Sequence, residues 1–189
     1  MIQLFSSSVP IFEGCHIAST PTHYDRRGSF IKTYNSTLFN EFWPSGITLR
    51  ETFLSRSKMG VLRGFHFQVP PHQQWKVVCC LEGETLDVLL DLRVNSATFQ
   101  KTWAIKLTAA TQGKGEQAMT VVIPPGVAHA FYTLSSSALL FYGVSEEYVP
   151  DSDKGVLWSS VDFDWPSMNP VLSDRDADFP ELRDFCSPF

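Results

Sequence analysis

Short apolar runs separated by turn residues follow one another along most of this chain. Most runs are rich in Val, Ile, Thr, Phe and Trp, and turns recur at intervals of roughly 8–12 residues, a spacing typical of β-sandwiches and barrels. The sequence contains no internal repeat and no low-complexity linker. The predicted strands are residues 29–34, 47–54, 61–68, 75–81, 85–92, 102–107, 119–123, 128–134 and 138–144.

A few segments predict other structure. Glu82-Gly83-Glu84 predicts a tight hairpin turn, and a short helix is expected over residues 36–43, ending before Pro44. From about residue 162 the chain is rich in acidic residues and proline, and we expect it to wrap around the strands with one or two short helices. The pattern therefore predicts one all-β domain over residues 1–189, a jelly roll with extensions at both ends.

The composition is that of a folded protein and restricts its partners. Of 189 residues, 43% are hydrophobic and 19% are charged, which is too apolar and too weakly charged for disorder. The net charge of −5 disfavours nucleic-acid binding, which usually requires a strongly basic surface. The longest apolar run is about five residues, whereas a membrane-spanning helix needs roughly 20. We therefore expect neither nucleic acid nor membrane as a partner, although a local cationic pocket for a phosphorylated small molecule stays possible.

Cysteine usage and the first residues indicate a cellular compartment. The four cysteines, Cys15, Cys79, Cys80 and Cys186, form no C-x-x-C pair, which favours free thiols in a reducing environment. The N-terminal residues show no basic segment followed by a long apolar stretch, so no secretory signal is expected. We therefore expect a cytoplasmic location.

Two segments of the chain combine histidine with turn-forming glycine or proline. They are residues 60–68 and 123–131. Side chains of an ideal strand alternate between its two faces. The first segment would place Arg63, Phe65 and Phe67 on one face, and on the other Leu62, Gly64, His66 and Gln68. From this pattern alone, His66 could be a core histidine, Arg63 an ion-pair residue at a barrel rim, and His129 a structural residue after a turn.

The spacing of these segments resembles the two half-motifs of the cupin barrel. A metal-binding cupin would carry His-x-His and a glutamate in the first half, but here the first half is His66-Phe67-Gln68. Two imidazoles without a third and fourth ligand are a poor site for zinc or iron, so no metal is expected. Without a metal, His66 and His129 are well suited to general acid–base chemistry, because imidazole titrates near neutrality.

An ordered series of segments, which covers most of the chain, resembles one family. The segments are residues 25–30, 61–68, 74–76, 82–88, 91–93, 96–99, 123–131, 141–142, 148–150, 155–158, 164–166 and 172–176. Together they resemble the dTDP-4-dehydrorhamnose 3,5-epimerase family, metal-independent cupins that act on nucleotide-linked 4-keto-6-deoxy sugars. The resemblance implies a cupin-type double-stranded β-helix and an isomerase that needs no cofactor. It also implies inversion of C3 and C5 of the sugar through an enolate.

The resemblance also implies roles for individual residues. His66 matches the family's proton-abstracting histidine, and Asp176 matches the aspartate that pairs with it. Tyr142 matches the tyrosine on the opposite face of the sugar, which would return the proton, and Lys76 matches the lysine near the keto oxygen. Arg63 matches an arginine near the phosphates. The other residues expected to bind substrate are His129, Tyr148, Arg27, Phe30 and Gln68. Without the resemblance, Asp176 would be interpreted as a solvated charge, Tyr142 as a core aromatic and Lys76 as a strand-edge residue.

The chain departs from the family at positions that contact the nucleotide. Lys32 stands where the family has a glutamate, and Glu51-Thr52-Phe53 stands where it has Gln-Asp-Asn. The nucleotide, and the inversion of one centre or two, therefore stay open. One alternative is an epimerase that inverts a single centre of another sugar nucleotide, such as a CDP- or GDP-linked one. A second is a non-catalytic sugar-nucleotide-binding cupin, which the retention of both an acid and a base disfavours.

The resemblance further implies a homodimer. In the family, the N-terminal strands of one subunit complete the site of the other. Residues 26–33 of this chain are apolar enough to do the same. A partner subunit would also cover an exposed strand edge.

Overall fold

The strands form two antiparallel five-stranded sheets that face each other. The computed structural model describes residues 12–20, 22–36, 41–42, 44–110 and 118–189. Within them the strands are β1 (His16–Thr20), β2 (Thr22–Asp25), β3 (Gly28–Ile31), β4 (Glu51–Lys58), β5 (Leu62–Gln68), β6 (Lys76–Glu82), β7 (Glu84–Asp91), β8 (Thr102–Thr108), β9 (Ala118–Ile123), β10 (Val127–Thr133), β11 (Ser137–Val144) and β12 (Asp153–Gly155). One α-helical turn, α1 (Asp174–Ala177), and two 3₁₀ turns (Trp158–Ser160 and Leu182–Asp184) follow the last strand.

The order of strands in the sheets is that of a jelly roll. The first sheet has the order β1-β9-β6-β11-β4, and the second has the order β12-β5-β10-β7-β8. From β4 onwards the chain passes repeatedly from one sheet to the other, so that neighbours in a sheet, except β7 and β8, are not consecutive in sequence. β2 and β3 form a separate two-stranded ribbon. The prediction of an all-β jelly roll with short helices is confirmed.

Apolar side chains fill three layers. Val78, Leu89, Phe131 and Leu140 belong to the cluster between the two sheets. Side chains of β5, β7 and β10 point the other way and pack against the C-terminal segment, where Trp158 and Trp165 are buried. The outer face of the first sheet is covered by residues that include Phe42, Ile47 and Leu49. Both faces of β6 and β10, two of the strands that carry the candidate site, are therefore packed, which holds those strands in place.

One predicted strand lies four residues further along the chain than expected. Ile47 and Leu49 pack on the outer face of the first sheet, and the ladder begins only at Glu51. It continues through polar residues to Lys58, because β4 is the last strand of its sheet in the described part of the chain and leaves many side chains exposed. An edge strand of this kind has no continuous apolar run to predict it.

The predicted hairpin at Glu82-Gly83-Glu84 is a corner between the two sheets. β6 belongs to the first sheet and β7 to the second, so they do not pair as a hairpin. Gly83 has φ +77°, and a Cβ there would lie 2.1 Å from the carbonyl oxygen of Ser137. The glycine therefore permits a close backbone approach as well as the turn.

The remaining differences concern short elements. The apolar pattern did not predict β1, β2 or β12, which are short or at the edges of sheets. Most of the helix predicted over residues 36–43 lies outside the described residues. The C-terminal segment begins to pack on the second sheet at Val156, before residue 162. None of the helices in the described ranges is both long and apolar enough to cross a membrane.

Candidate active site

A cavity of about 430 Å³ opens between the two sheets. Its walls come from β4, β6 and β11 of the first sheet and from β5 and β10 of the second. Seven of the residues predicted from the sequence line it: Arg63, His66, Gln68, Lys76, His129, Tyr142 and Tyr148. The fold thus brings to one cavity residues that are far apart in the sequence.

A bulge in β5 determines which of its side chains enter the cavity. His66 pairs with His129 and Arg63 pairs with Phe131, so β5 holds one more residue than β10 over this interval. Gly64 lies in the bulge with φ +125°, and a Cβ there would come within 2.5 Å of the Ala130 Cβ. The predicted alternation of β5 is therefore wrong. Arg63 faces the cavity together with His66, whereas Phe65 packs with Leu62 and Phe67 under the C-terminal segment.

His66 is paired with Asp176. Its Nε2 atom lies 2.9 Å from Asp176 Oδ1, and the backbone N–H of Gly64 donates to the other carboxylate oxygen at 3.1 Å. Asp176 is buried on α1, where Ser173 caps the helical turn by accepting from the Asp176 backbone N–H. Because a carboxylate only accepts, Nε2 carries the proton, and Nδ1 is the unprotonated nitrogen of neutral His66.

The environment of this pair favours a neutral histidine beside an ionised aspartate. Burial lowers the pKa of His66, and the nearby positive charges of Lys76 and Arg175 lower it further, although Asp176 opposes them. Burial tends to raise the pKa of Asp176, but hydrogen bonds from His66, Gly64 and Ser173 outweigh it and hold that pKa below its usual value. His66 is therefore available as a base at neutral pH.

Lys76 lies beside His66, and its ammonium group is buried. Its Nζ donates to the backbone carbonyl oxygen of His66 at 2.9 Å. Burial lowers the pKa of Lys76 to about 8; Asp153 opposes this shift and Arg175 adds to it. Lys76 is thus a cation at neutral pH that loses its charge under mildly alkaline conditions.

Tyr142 lines the same cavity as His66, but from the other sheet. It lies on β11, and its ring stacks on that of Phe53, with centroids 4.8 Å apart. Burial, together with the negative charge of Asp87, raises the pKa of the phenol well above its usual value. Tyr142 therefore keeps its proton across the physiological pH range.

The cavity also contains a second histidine–carboxylate pair, which the sequence analysis did not identify. His129 Nε2 lies 2.8 Å from Asp87 Oδ2, and both side chains are buried. The Thr85 hydroxyl donates to the other oxygen of Asp87 at 2.8 Å. A signal was present, because Asp87 is an acidic residue placed between Leu86 and the apolar run Val88-Leu89-Leu90.

Gln68 and Tyr148 belong to the rim of the cavity. Gln68 accepts from the Val149 backbone N–H at 2.7 Å and donates to the backbone oxygens of His72 and Glu147. Gln68 therefore holds the loop that carries Tyr148. The backbone N–H of Tyr148 also donates to Glu51 Oε2 at 2.9 Å.

Arg63, Arg27 and Phe30 differ in their access to the cavity. Arg63 is exposed at the cavity wall, and its Nε donates to the Ser57 hydroxyl at 3.0 Å. Arg27 and Phe30 lie on the β2–β3 ribbon and are not among the residues that line the cavity. Both are exposed, and Arg27 pairs with Asp25 at 2.6 Å.

An ion pair between Asp153 and Arg175 completes the cavity wall and was also missed. Its closest atoms are 2.6 Å apart, and the Arg175 guanidinium lies 5.2 Å from the centroid of the Phe179 ring. In the described ranges, no group of three or more His, Cys, Asp or Glu side chains could hold a metal ion.

Comparisons with known proteins agree on a single family. A family model described as dTDP-4-dehydrorhamnose 3,5-epimerase matches residues 10–184. The dTDP-4-dehydrorhamnose 3,5-epimerase of Shigella flexneri is 38% identical over 154 residues, which are 80% of this chain and 82% of that protein.

Two solved structures extend the comparison to the fold. The dTDP-6-deoxy-D-glucose-3,5-epimerase of Legionella pneumophila, in complex with dTDP-4-keto-L-rhamnose, superposes with a TM-score of 0.85 at 28% identity, over 98% of this chain and 95% of that one. A 3′-monoepimerase from Streptomyces bikiniensis, in complex with dTDP-quinovose, superposes with a TM-score of 0.81 at 28% identity, over 91% and 85%. The fold, the cavity and these matches agree, and the chain belongs to the dTDP-4-dehydrorhamnose 3,5-epimerase family of isomerases.

Proposed function

We propose that the protein inverts C3 and C5 of dTDP-4-keto-6-deoxyglucose to give dTDP-4-keto-rhamnose. The observation that carries the proposal is the opposition of His66 and Tyr142, which enter the same cavity from different sheets. A base on one side of a sugar ring and an acid on the other are what inversion at carbon requires.

His66 is the base. In the chair of the glucose-configured substrate, the hydrogens on C3 and C5 are both axial and share one face, so one base can reach both. His66 Nδ1 takes the proton from carbon, and the electron pair of the C–H bond moves to the C4 oxygen to form an enolate. Asp176 orients the ring and stabilises the imidazolium that results.

Lys76 stabilises the enolate oxygen. Its buried ammonium group lies next to the base, and a cation in a site of low polarity interacts strongly with developing negative charge. The ketone itself accepts the electron pair, so the reaction needs no further electron acceptor.

Tyr142 completes the inversion. Its O–H proton goes to the same carbon from the face opposite His66, and a new C–H bond forms with inverted configuration. The phenolate then regains a proton from water, and the imidazolium loses one to water. Each centre therefore needs one proton from the phenol and returns one proton to solvent.

Proton exchange in D₂O tests the function directly. The protein would be incubated with dTDP-4-keto-6-deoxyglucose, and then with the CDP- and GDP-linked counterparts, while NMR follows deuterium at each carbon. Deuterium at both C3 and C5 with inversion is the expected result. Deuterium at one carbon would assign the single-centre activity instead. No exchange with any substrate, in folded protein, would overturn the epimerase and favour a binding role.

The second part of the proposal concerns the substrate's diphosphate and a homodimer. Arg63 faces the cavity with a guanidinium fork suited to phosphate. Arg27 and Phe30 lie on an exposed ribbon, and β4 is the outermost strand of its sheet among the described residues. We propose that the ribbon of one subunit joins the cavity of a second, with Arg27 on the diphosphate and Phe30 on the nucleoside.

If the β2–β3 ribbon of each subunit joins the cavity of the other, two different defective subunits should complement each other. Arg27→Ala should raise KM roughly tenfold, because a charged hydrogen bond to phosphate is lost. Mixing Arg27→Ala subunits with inactive His66→Asn subunits should restore wild-type KM at part of the sites, since a heterodimer has one cavity with both native residues. The measurement is the rate at low substrate concentration after subunit exchange. A mixture no better than Arg27→Ala alone would contradict the ribbon exchange.

The pKa of Lys76 predicts the pH above which the reaction slows. The ammonium form is present below its pKa of about 8 and is lost above it, so kcat/KM should fall as pH rises through that value. The neutral form of His66 is lost only below the pKa of this histidine, which burial lowers from 6.5. The acid limb of the pH profile should therefore lie below pH 6.5. Lys76→Arg, which stays charged, should move the alkaline limb upwards even if the rate falls. A wild-type profile that stays flat to about pH 10 would contradict the role of Lys76.

A further inference from the structure

Phe53 covers the ring of Tyr142 at the rim of the cavity. The two residues are cross-strand partners on β4 and β11, with ring centroids 4.8 Å apart and only 9° between the ring planes. Phe53 is 44% exposed, whereas Tyr142 is 7% exposed. One face of the phenylalanine ring therefore meets the open cavity, and the other shields the tyrosine.

Tyr142 belongs to the buried cluster between the two sheets, and Phe53 is the aromatic side chain stacked parallel to its ring. Val78 lies opposite it on β6, and Phe53 lies opposite it on β4, the last strand of that sheet in the described part of the chain. The His129 ring approaches it across the cavity with a centroid distance of 5.9 Å. Parallel stacking fixes the plane of an aromatic ring in a way that a small polar side chain cannot. An asparagine at position 53 would leave this side of Tyr142 open.

We propose that Phe53 is a positioning residue that holds the Tyr142 phenol at the face of the enolate opposite His66. The inference rests on the proposed epimerase function. It gives position 53, where the chain departs from the family pattern, a role in the transfer of the proton rather than in nucleotide binding.

The two fates of the enolate make this role measurable. A proton from Tyr142 gives the inverted centre, and Tyr142 regains its proton from water. Return of a proton from the His66 imidazolium regenerates the original configuration. In D₂O the imidazolium proton exchanges with solvent, so return leaves deuterium at a carbon that has not inverted. The ratio of exchange with retention to inversion therefore reports how well the phenol competes for the enolate, whatever fraction of the enzyme is active.

The test compares three variants by NMR in D₂O with dTDP-4-keto-6-deoxyglucose. Phe53→Asn should raise the ratio of exchange with retention to inversion about tenfold, since a small displacement of an acid greatly slows proton transfer. Phe53→Tyr retains a ring that can stack and should restore the wild-type ratio. Lys58→Asn places the same amide at an exposed position further along β4, which does not line the cavity, and should leave the ratio unchanged.

The outcomes separate this inference from the proposed function. If wild-type protein shows neither exchange nor inversion, the epimerase function fails and the role of Phe53 fails with it. If wild-type protein inverts but Phe53→Asn keeps the wild-type ratio, only the role of Phe53 is overturned. Equal loss of exchange and inversion in Phe53→Asn would also overturn it, because that result reports general damage to the cavity. Thermal melting of each variant verifies that it is folded.

Discussion

Replacing His66 by asparagine should abolish both proton exchange and inversion, with a fall in rate of at least about 10³-fold. Exchange and inversion share the removal of the carbon-bound proton, and the other described histidine at the cavity, His129, is engaged with Asp87. Asparagine is smaller than histidine, but its amide N–H can still donate to Asp176, and it cannot accept a proton at neutral pH. The measurement is deuterium incorporation at C3 and C5, followed by NMR.

Two experiments control this prediction: the substitution of Asp176 and a measurement of ligand binding. Asp176→Asn should lower the rate by roughly 10²-fold or more, because it removes the negative charge that stabilises the imidazolium. Binding of dTDP to His66→Asn, measured by calorimetry, should match the wild type, which would separate loss of chemistry from loss of the cavity. Exchange that persists in His66→Asn at a wild-type rate would assign the base to another group.

The apolar pattern was sufficient to predict the sandwich but not its local geometry. Runs such as those that became β6, β7 and β11 are buried on both faces, so their composition marks them as strands. The bulge at Gly64 could not be predicted, because it depends on the close approach of Ala130 on a strand far away in sequence. This single extra residue moved Arg63 from the predicted face of β5 to the cavity.

The candidate site could be predicted only in part, for a similar reason. His66, Lys76 and Tyr142 were named through the family resemblance, and the structure brings all three to one cavity. Cross-strand contacts have no signature in a single sequence, since they are set by the register between distant strands. The pairing of His129 with Asp87 and the stacking of Phe53 on Tyr142 are both contacts of this kind.

Replacing Tyr142 by phenylalanine should separate exchange from inversion. Removing the O–H leaves the base, the lysine and the ring stack in place, so the enolate still forms. Without the phenol, the His66 imidazolium is the proton donor that remains, and it returns the proton to the original face. We expect inversion to fall by about 10²-fold or more, while exchange with retention stays within about tenfold of its rate in the wild type.

The direction of this result discriminates between two roles for Tyr142. If Tyr142 only shaped the cavity, Tyr142→Phe would change exchange and inversion in parallel or leave both intact, because phenylalanine preserves the ring. If Tyr142 were the base, the variant would lose both processes, as His66→Asn is expected to do. Retained exchange with lost inversion is the outcome that only a proton donor on the second face produces. The ratio of exchange with retention to inversion should rise moderately in Phe53→Asn and further in Tyr142→Phe. That order would show that Tyr142 donates the proton and that Phe53 positions Tyr142.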